Sequence, residues 1–289
     1  MYKAIAANKR NTILIMAVFI GLIGAIGFAV SYYYGNTSMT YWIIGVALVY
    51  AVIQYFAASS LALSMSGAHE IEKKDNPRLF RIVENLSITL GIPMPKVYII
   101  EDSAPNAFAT GRDPKHAVVA ATTGLLEIME DNELEAVMAH ELGHVQNYDI
   151  RLSMIAFGLV SVIALISDIV LRMFIFGDRR DSNPLFLVIG VIAVILAPII
   201  ATIIQLAISR QREYLADASG ALTTRDSESL AKALEKLAQY GKPMKRQNTA
   251  SAHLYISNPL RSGFLAGMFS THPPLEKRIE RLRNNAEKF

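Results

Sequence analysis

His140 and His144 stand four residues apart in "VMAHELGHVQ", residues 137–146, and Glu141 directly follows the first histidine. On an α-helix, residues i and i+4 share a face, so two neutral imidazoles at that spacing can bind one ion. A glutamate one step round the helix can then reach a water beside the ion without ligating it. Two histidines with a general base in this order is the chemistry of a zinc metalloprotease. The spacing counts only in a helix, and "DNELEAVMAHELGHVQN" predicts one. Asp131 or Asn132 can cap it, Glu133 and Glu135 lie in its first turns, and apolar Leu134, Val137, Met138 and Leu142 follow at helical spacing. An ordinary helix carrying two histidines is the plain alternative. With 6 His in 289 residues, that coincidence is the weaker reading.

A catalytic zinc usually takes three protein ligands and keeps one position open for water. A third histidine six residues beyond His144 is excluded, because that position is Ile150, and the chain has no cysteine. A glutamate on a separate helix is the remaining option. "SRQREYLADASGA", 209–221, offers Glu213 and Asp217 on one helical face. Glu213 can ligate, and Asp217 can accept a hydrogen bond from the far nitrogen of a ligating histidine, fixing its tautomer. Alone this segment reads as a solvated helix start; beside the two histidines it completes a site for one zinc per chain. His69, His116 and His253 belong to no such motif and read as surface or packing residues.

The elements that must position these residues lie in a strongly apolar chain, 52% hydrophobic with a mean hydropathy of +0.32. Residues 13–34 carry no charge over 22 positions, and 41–65 are equally uncharged. Both exceed the ~20 residues that span a ~30 Å hydrocarbon core. The first is too long for the apolar part of a cleaved signal peptide, so the pair predicts a retained helical hairpin. Residues 185–208 form a further apolar stretch, with a kink expected at Pro198. Residues 152–176 form another, interrupted by Asp168 and Arg172, which can pair near the far interface. Four spans are expected, with a re-entrant or surface hairpin for 152–209 as the alternative.

Lysine and arginine set the orientation. Lys3, Lys9 and Arg10 precede the first span, Lys73, Lys74, Arg78 and Arg81 follow the second, and Arg210 and Arg212 follow the fourth. The loop "GNTSMT" has none; Arg179 and Arg180 in the 177–184 loop dissent, flanked by Asp178 and Asp181. Both termini and the segments 66–151 and 210–289 are therefore expected in the cytoplasm. A net charge of +3 gives no reason to expect nucleic acid, and the lack of cysteine suits a reducing compartment. Four regions follow: a membrane hairpin at 1–65, a catalytic part at 66–151, a second hairpin at 152–209 and a second catalytic part at 210–289.

"HELGH" followed by "EYLAD" after a hydrophobic hairpin resembles the HtpX family of membrane zinc metalloproteases, distantly related to the CAAX prenyl proteases. The resemblance covers nearly the whole chain, including "PNAFATG" at 105–111, "TTGLLE" at 122–127 and "THPPLEKRI" at 271–279. It implies a mainly α integral membrane protein with a small β-sheet, whose gluzincin-type metalloprotease domain is split by a transmembrane hairpin. It also implies a protease of the bacterial inner membrane, facing the cytoplasm, that degrades damaged or misfolded membrane proteins. Residues 96–129 fit the small sheet: an alternating strand, a break at Pro105, turn residues in "GRDPKH", then β-branched "AVVAATT" leading into a helix near Gly124. By resemblance, "NAFA" is the edge that pairs with extended substrate, making Asn106 and Ala107 candidate peptide contacts. His272 is a candidate for stabilising the oxyanion, with a helix-entry cap as its plain alternative. The final "PLEKRIERLRNNAEKF" reads as a basic amphipathic helix with a solvated face. Three rivals stand beside this reading: a prenyl-protein processing protease, an inactive membrane scaffold (which an intact Glu141 argues against), and a zinc transporter. Oligomeric state has no signature in the sequence.

Overall fold

The computed structural model describes residues 2–159, 210–248, 251–260 and 273–286. The chain forms two compact units. One holds Met1–Lys9, Ser59–Met154 and Ile208–Phe289, and the other holds Arg10–Ala58 and Ile155–Ala207.

The second unit is built on two long helices, α1 (Tyr2–Tyr34) and α2 (Ser38–Ser66), whose ends run on into the first unit. They are joined at Gly35, which turns the chain with φ 64°. Ile13, Phe28, Tyr41, Trp42, Val52 and Phe56 stand exposed along them. Among the described residues no single helix is long and apolar enough to cross a membrane; Thr40–Tyr50 and Val52–Ser66 qualify together, bent by 43°. The apolar stretches expected to span at 152–176 and 185–208 fall outside the described residues from 160 onward. Residues 149–159 are helical, and Tyr50 Oη donates to the Gly158 carbonyl at 3.2 Å.

The first unit sets helices against a four-stranded sheet. Its strands are β1 (Ala68–Glu70), β2 (Lys96–Ile100), β3 (Ala107–Gly111) and β4 (Ala117–Thr122), in the spatial order β1-β2-β4-β3. β2 and β4 are parallel, the other pairs antiparallel. The hairpin between β3 and β4 turns at Gly111, with φ 143°, where a Cβ would sit 2.5 Å from the His116 carbonyl oxygen. The Asp113 carboxylate closes the turn by accepting from the Lys115 and His116 amides. β4 passes without a loop into α4 (Thr123–Ile128), whose first turn is capped when Thr122 Oγ1 accepts from the Leu125 amide.

α3 (Pro77–Leu90) shows how sequence writes a helix here. Asn76 caps it by accepting from the Leu79 amide at 2.9 Å, Pro77 occupies its first turn, and Gly91 ends it in the left-handed region. Its Leu79, Val83 and Leu86 enter a core shared with Val97 and Val119 of the sheet. Leu134, Val137, Met138 and Leu142 of α5 (Asp131–Gln146), and Leu230, Leu234 and Leu237 of α7 (Ser227–Tyr240), complete that core. Each such side chain contributes about 1.5–3 kcal/mol by leaving water. α5 begins one residue before the expected caps: Glu130 is the N-cap, and its amide donates to Glu133 Oε2 at 2.8 Å. Glu133 also accepts from Lys236 Nζ at 2.6 Å, which ties the start of α5 to α7.

α6 (Arg210–Thr224) lies against α5 at a small-residue contact. A Cβ on Gly220 would be 3.1 Å from the His140 nitrogen and 3.3 Å from its Cα, and one on Gly143 would be 3.6 Å from Ala216 Cα. A side chain at Gly220 would press on the α5 backbone, whereas at Gly143 a Cβ would make ordinary contact. α8 (Leu275–Asn284) packs on α6 and α7, where Arg283 forks between Glu228 and Glu235.

Candidate active site

The close approach of α5 and α6 puts His140, His144 and Glu213 side by side. His140 Nε2 and His144 Nε2 are 3.2 Å apart; Glu213 Oε2 is 3.8 Å from the first and Glu213 Oε1 is 3.6 Å from the second. One donor atom from each of the three residues lies within 4.8 Å of the others, close enough for a single ion to touch all three.

The far nitrogens of the two rings decide which atoms face that point. His140 Nδ1 donates to Asp217 Oδ1 at 3.0 Å, and His144 Nδ1 donates to Asp149 Oδ2 at 3.0 Å. An ionised carboxylate only accepts, so each Nδ1 carries a proton, and in the neutral ring it is Nε2 that turns a lone pair inward. Two lone pairs and a carboxylate then converge at hydrogen-bond range or little more, an arrangement that a cation stabilises. Two nitrogens and one oxygen are also the donor set of a catalytic zinc. The site fits a metal.

The surrounding charges point the same way. Burial opposes a proton on His144, but the Asp149 hydrogen bond and the carboxylates of Glu213, Asp149 and Glu141 outweigh it and push the ring up to about 9. Burial also opposes charge on Asp217, yet the Arg278 guanidinium and the His140 hydrogen bond bring it down to about 2. Arg278 comes from α8 and is fully buried. Its Nε and Nη2 grip both Asp217 oxygens at 2.9 and 2.6 Å, and Nη1 is 3.7 Å from Glu213 Oε2. Such a fork is the strong form of a charged hydrogen bond and holds Asp217 still under His140.

Glu141 is 2% exposed and stands one residue on from His140, about 100° round α5 from the face the two histidines share. Burial pushes its carboxyl up from the usual range and Glu213 adds to this; the two histidines and the Ala109 amide, which donates to it, pull the other way. A carboxyl held between these influences is suited to taking up and returning a proton.

The other expected residues are placed differently. Asn106 and Ala107 are buried under the chain's own segment 252–258. Asn106 Nδ2 donates to the Ser257 carbonyl at 2.8 Å, and Asn106 Oδ1 accepts from the Ser257 amide at 3.2 Å. The Ala107 carbonyl accepts from the Ile256 amide at 3.0 Å, and Phe108 bridges to Tyr255 in antiparallel fashion. In this conformation the expected peptide contacts are made by the protein's own backbone. His272 lies outside the described residues. His253 packs inside, its Nε2 3.2 Å from the Ser153 carbonyl, whereas His116 bonds Asp113 at the surface.

Two residues of the site had no reading in the sequence. Arg278 did leave a signal: it sits on the stripe Leu275, Arg278, Ile279, Leu282, a cation where helical spacing calls for an apolar residue. The last helix is therefore more than a solvated amphipathic surface. Asp149 left none, because it follows the end of α5 and no periodicity carries past that turn.

Comparison with known proteins settles what kind of chain this is. The family model described as peptidase family M48 matches residues 73–286, which contain every site residue placed above. The chain belongs to peptidase family M48. It is a metallopeptidase, a hydrolase. Among its M48 relatives is a protein named protease HtpX homolog from Tropheryma whipplei strain Twist, 57% identical and covering 100% of both chains. Another of the same name, from Streptococcus gordonii, is 46% identical over 98% of this chain and 99% of its own. The HtpX resemblance read from the motifs holds along the full length. Among solved structures, S. mikatae Ste24p superposes with a TM-score of 0.53 at 18% identity, covering 98% of this chain and 67% of that one. At that identity the likeness shows a shared fold, mostly helical with a small mixed sheet.

Proposed function

We propose that this M48 peptidase is a zinc-dependent endopeptidase of the bacterial cytoplasmic membrane, with its termini and active site facing the cytoplasm, that cuts damaged or misfolded membrane proteins. The convergence of His140, His144 and Glu213 on one point carries the reading. These three residues would hold the zinc. Bound there, zinc supplies a Lewis acid that polarises the scissile carbonyl and brings the pKa of a water toward ~7. Glu141 takes the proton from the attacking water and returns it to the leaving amine. Asp217 and Asp149 keep the two imidazoles in the ligating tautomer, and Arg278 keeps Asp217 charged.

Membrane placement is supported by the uncharged stretches 13–34 and 41–65 and by the exposed Tyr41, Trp42, Val52 and Phe56. A row of large apolar side chains in water is costly, and lipid removes that cost. The lysine and arginine bias supports the cytoplasmic orientation, and the quality-control substrates rest on the HtpX resemblance. His272 is proposed to steady the oxyanion. An extended substrate is proposed to run beside β3 next to Ala109, whose amide already reaches Glu141, with Asn106 and Ala107 fixing the wall at one end.

Purified protein should carry one zinc per chain and degrade an unfolded protein such as casein, with a chelator abolishing the activity and added zinc restoring it. Metal-free protein of full activity would contradict the reading. Preference for a prenylated peptide over unfolded protein would move the substrate class to lipidated termini.

A further inference from the structure

Asn8 belongs to the opening turns of α1, far in sequence from every residue of the site, yet it is 4% exposed and inserted into the catalytic unit. Its Nδ2 donates to Asp149 Oδ1 at 2.6 Å and to the Asn147 carbonyl at 3.0 Å. Asp149 Oδ2 is the acceptor of the His144 Nδ1 proton. Arg212 closes the group, with Nη1 3.5 Å from Asn8 Oδ1 and Nε 3.9 Å from Asp149 Oδ1. One side-chain amide thus grips both ends of the turn 147–149. That turn is conformationally demanding, because Tyr148 between them holds φ 62°, a region bulky residues seldom adopt.

We infer that Asn8 is a positioning residue for the ligand His144, acting through Asp149, so that the first helix supplies part of the metal centre. The inference rests on the zinc reading above. Asp149 has to present one oxygen to His144 Nδ1 while its other oxygen is buried. Asn8 is a neutral donor that satisfies that second oxygen without drawing the carboxylate off the ring. Its second hydrogen bond, to Asn147, ties the carboxylate to the end of the helix that carries His144. A carboxylate behind a ligating histidine fixes ring orientation and raises ligand basicity, and losing such support costs metal affinity. The consequence reaches past one side chain: a catalytic fragment cut free of residues 1–58 lacks this support.

The test uses the full chain in detergent, titrated with zinc against a chromophoric chelator. Asn8→Ala should weaken zinc affinity about tenfold, and Asp149→Asn by about 10–100-fold. Asn8→Ala added to Asp149→Asn should weaken it no further, because Asn8 acts through that carboxylate. Asn8→Asp keeps the size of the side chain but sets a second carboxylate against Asp149, and should lose at least as much as alanine. A melting temperature of the zinc-free protein that falls while zinc affinity stays unchanged would assign Asn8 to packing and overturn the inference. Equal losses from Asn8→Ala in both backgrounds would overturn it too. Wild-type protein that binds no zinc would overturn the zinc reading together with it, whereas tight wild-type binding with unaltered Asn8 variants sinks the inference alone.

Discussion

His140 and Asp217 show how the site works at the scale of single residues. The imidazole ligates only if its proton stays on Nδ1, and Asp217 Oδ1, 3.0 Å away, keeps it there. Asp217→Ala should therefore lower zinc affinity or activity by about 10–100-fold while leaving the three ligands in place. Unchanged affinity in a chelator titration would count against this role. His144 gives a second expectation, with a sign that follows from its proton. Without zinc the ring holds a proton up to about 9, and zinc needs it neutral. Below that pH the proton competes with the metal, so apparent zinc affinity should fall as pH falls, by up to about tenfold per unit for one displaced proton. Titrations at several pH values check this; affinity independent of pH between 6 and 8 would show that His144 is neutral before zinc arrives.

At the scale of elements, the sheet's outer strand and the segment laid over it carry a further expectation. Asn106 bonds both backbone groups of Ser257, so Asn106→Ala removes two hydrogen bonds from a half-buried carbonyl and amide. That should destabilise the protein by about 1–3 kcal/mol and slow peptide turnover while zinc is retained. Full stability with a raised KM would instead make Asn106 a direct substrate contact. Much at this scale was legible in the sequence. The helix of His140 and His144 announced itself by spacing, β2 by alternation, β4 and the α4 entry by the β-branched run after the "GRDPKH" turn, and the α6 acids by their i, i+4 offset, whereas β1 had no reading. What escaped reading depends on contacts across the chain. Ser257 meets Asn106 across 151 positions, and Asp149 meets His144 around a turn set by Tyr148 rather than by a glycine. Gly220 reads as an ordinary helix residue until packing shows that a Cβ there would press on the His140 backbone at 3.1 Å.

At the scale of the molecule, the catalytic unit is assembled from three separated parts of the chain, Met1–Lys9, Ser59–Met154 and Ile208–Phe289. The apolar segments are inserted between those parts, so His140 and His144 on α5 and Glu213 on α6 come from opposite sides of the 155–207 insertion. This explains why His144 and Glu213 are 69 positions apart yet meet at one point (213 minus 144). It also yields the topology expectation. A reporter fused after Phe289 should read cytoplasmic, and one placed in 177–184 should read on the far side. A cytoplasmic reading at 177–184 would turn the second hairpin into a re-entrant or surface element.

The most direct test of the central claim separates ligand from base with two purified variants. Glu141→Gln preserves shape and leaves His140, His144 and Glu213 untouched. Zinc should stay near one per chain while proteolysis falls by about 10²–10⁴-fold. Glu213→Ala removes a ligand, so zinc itself should be lost. Zinc absent from Glu141→Gln but retained by Glu213→Ala would contradict the assignment of roles, and undiminished proteolysis by Glu141→Gln would contradict the mechanism altogether.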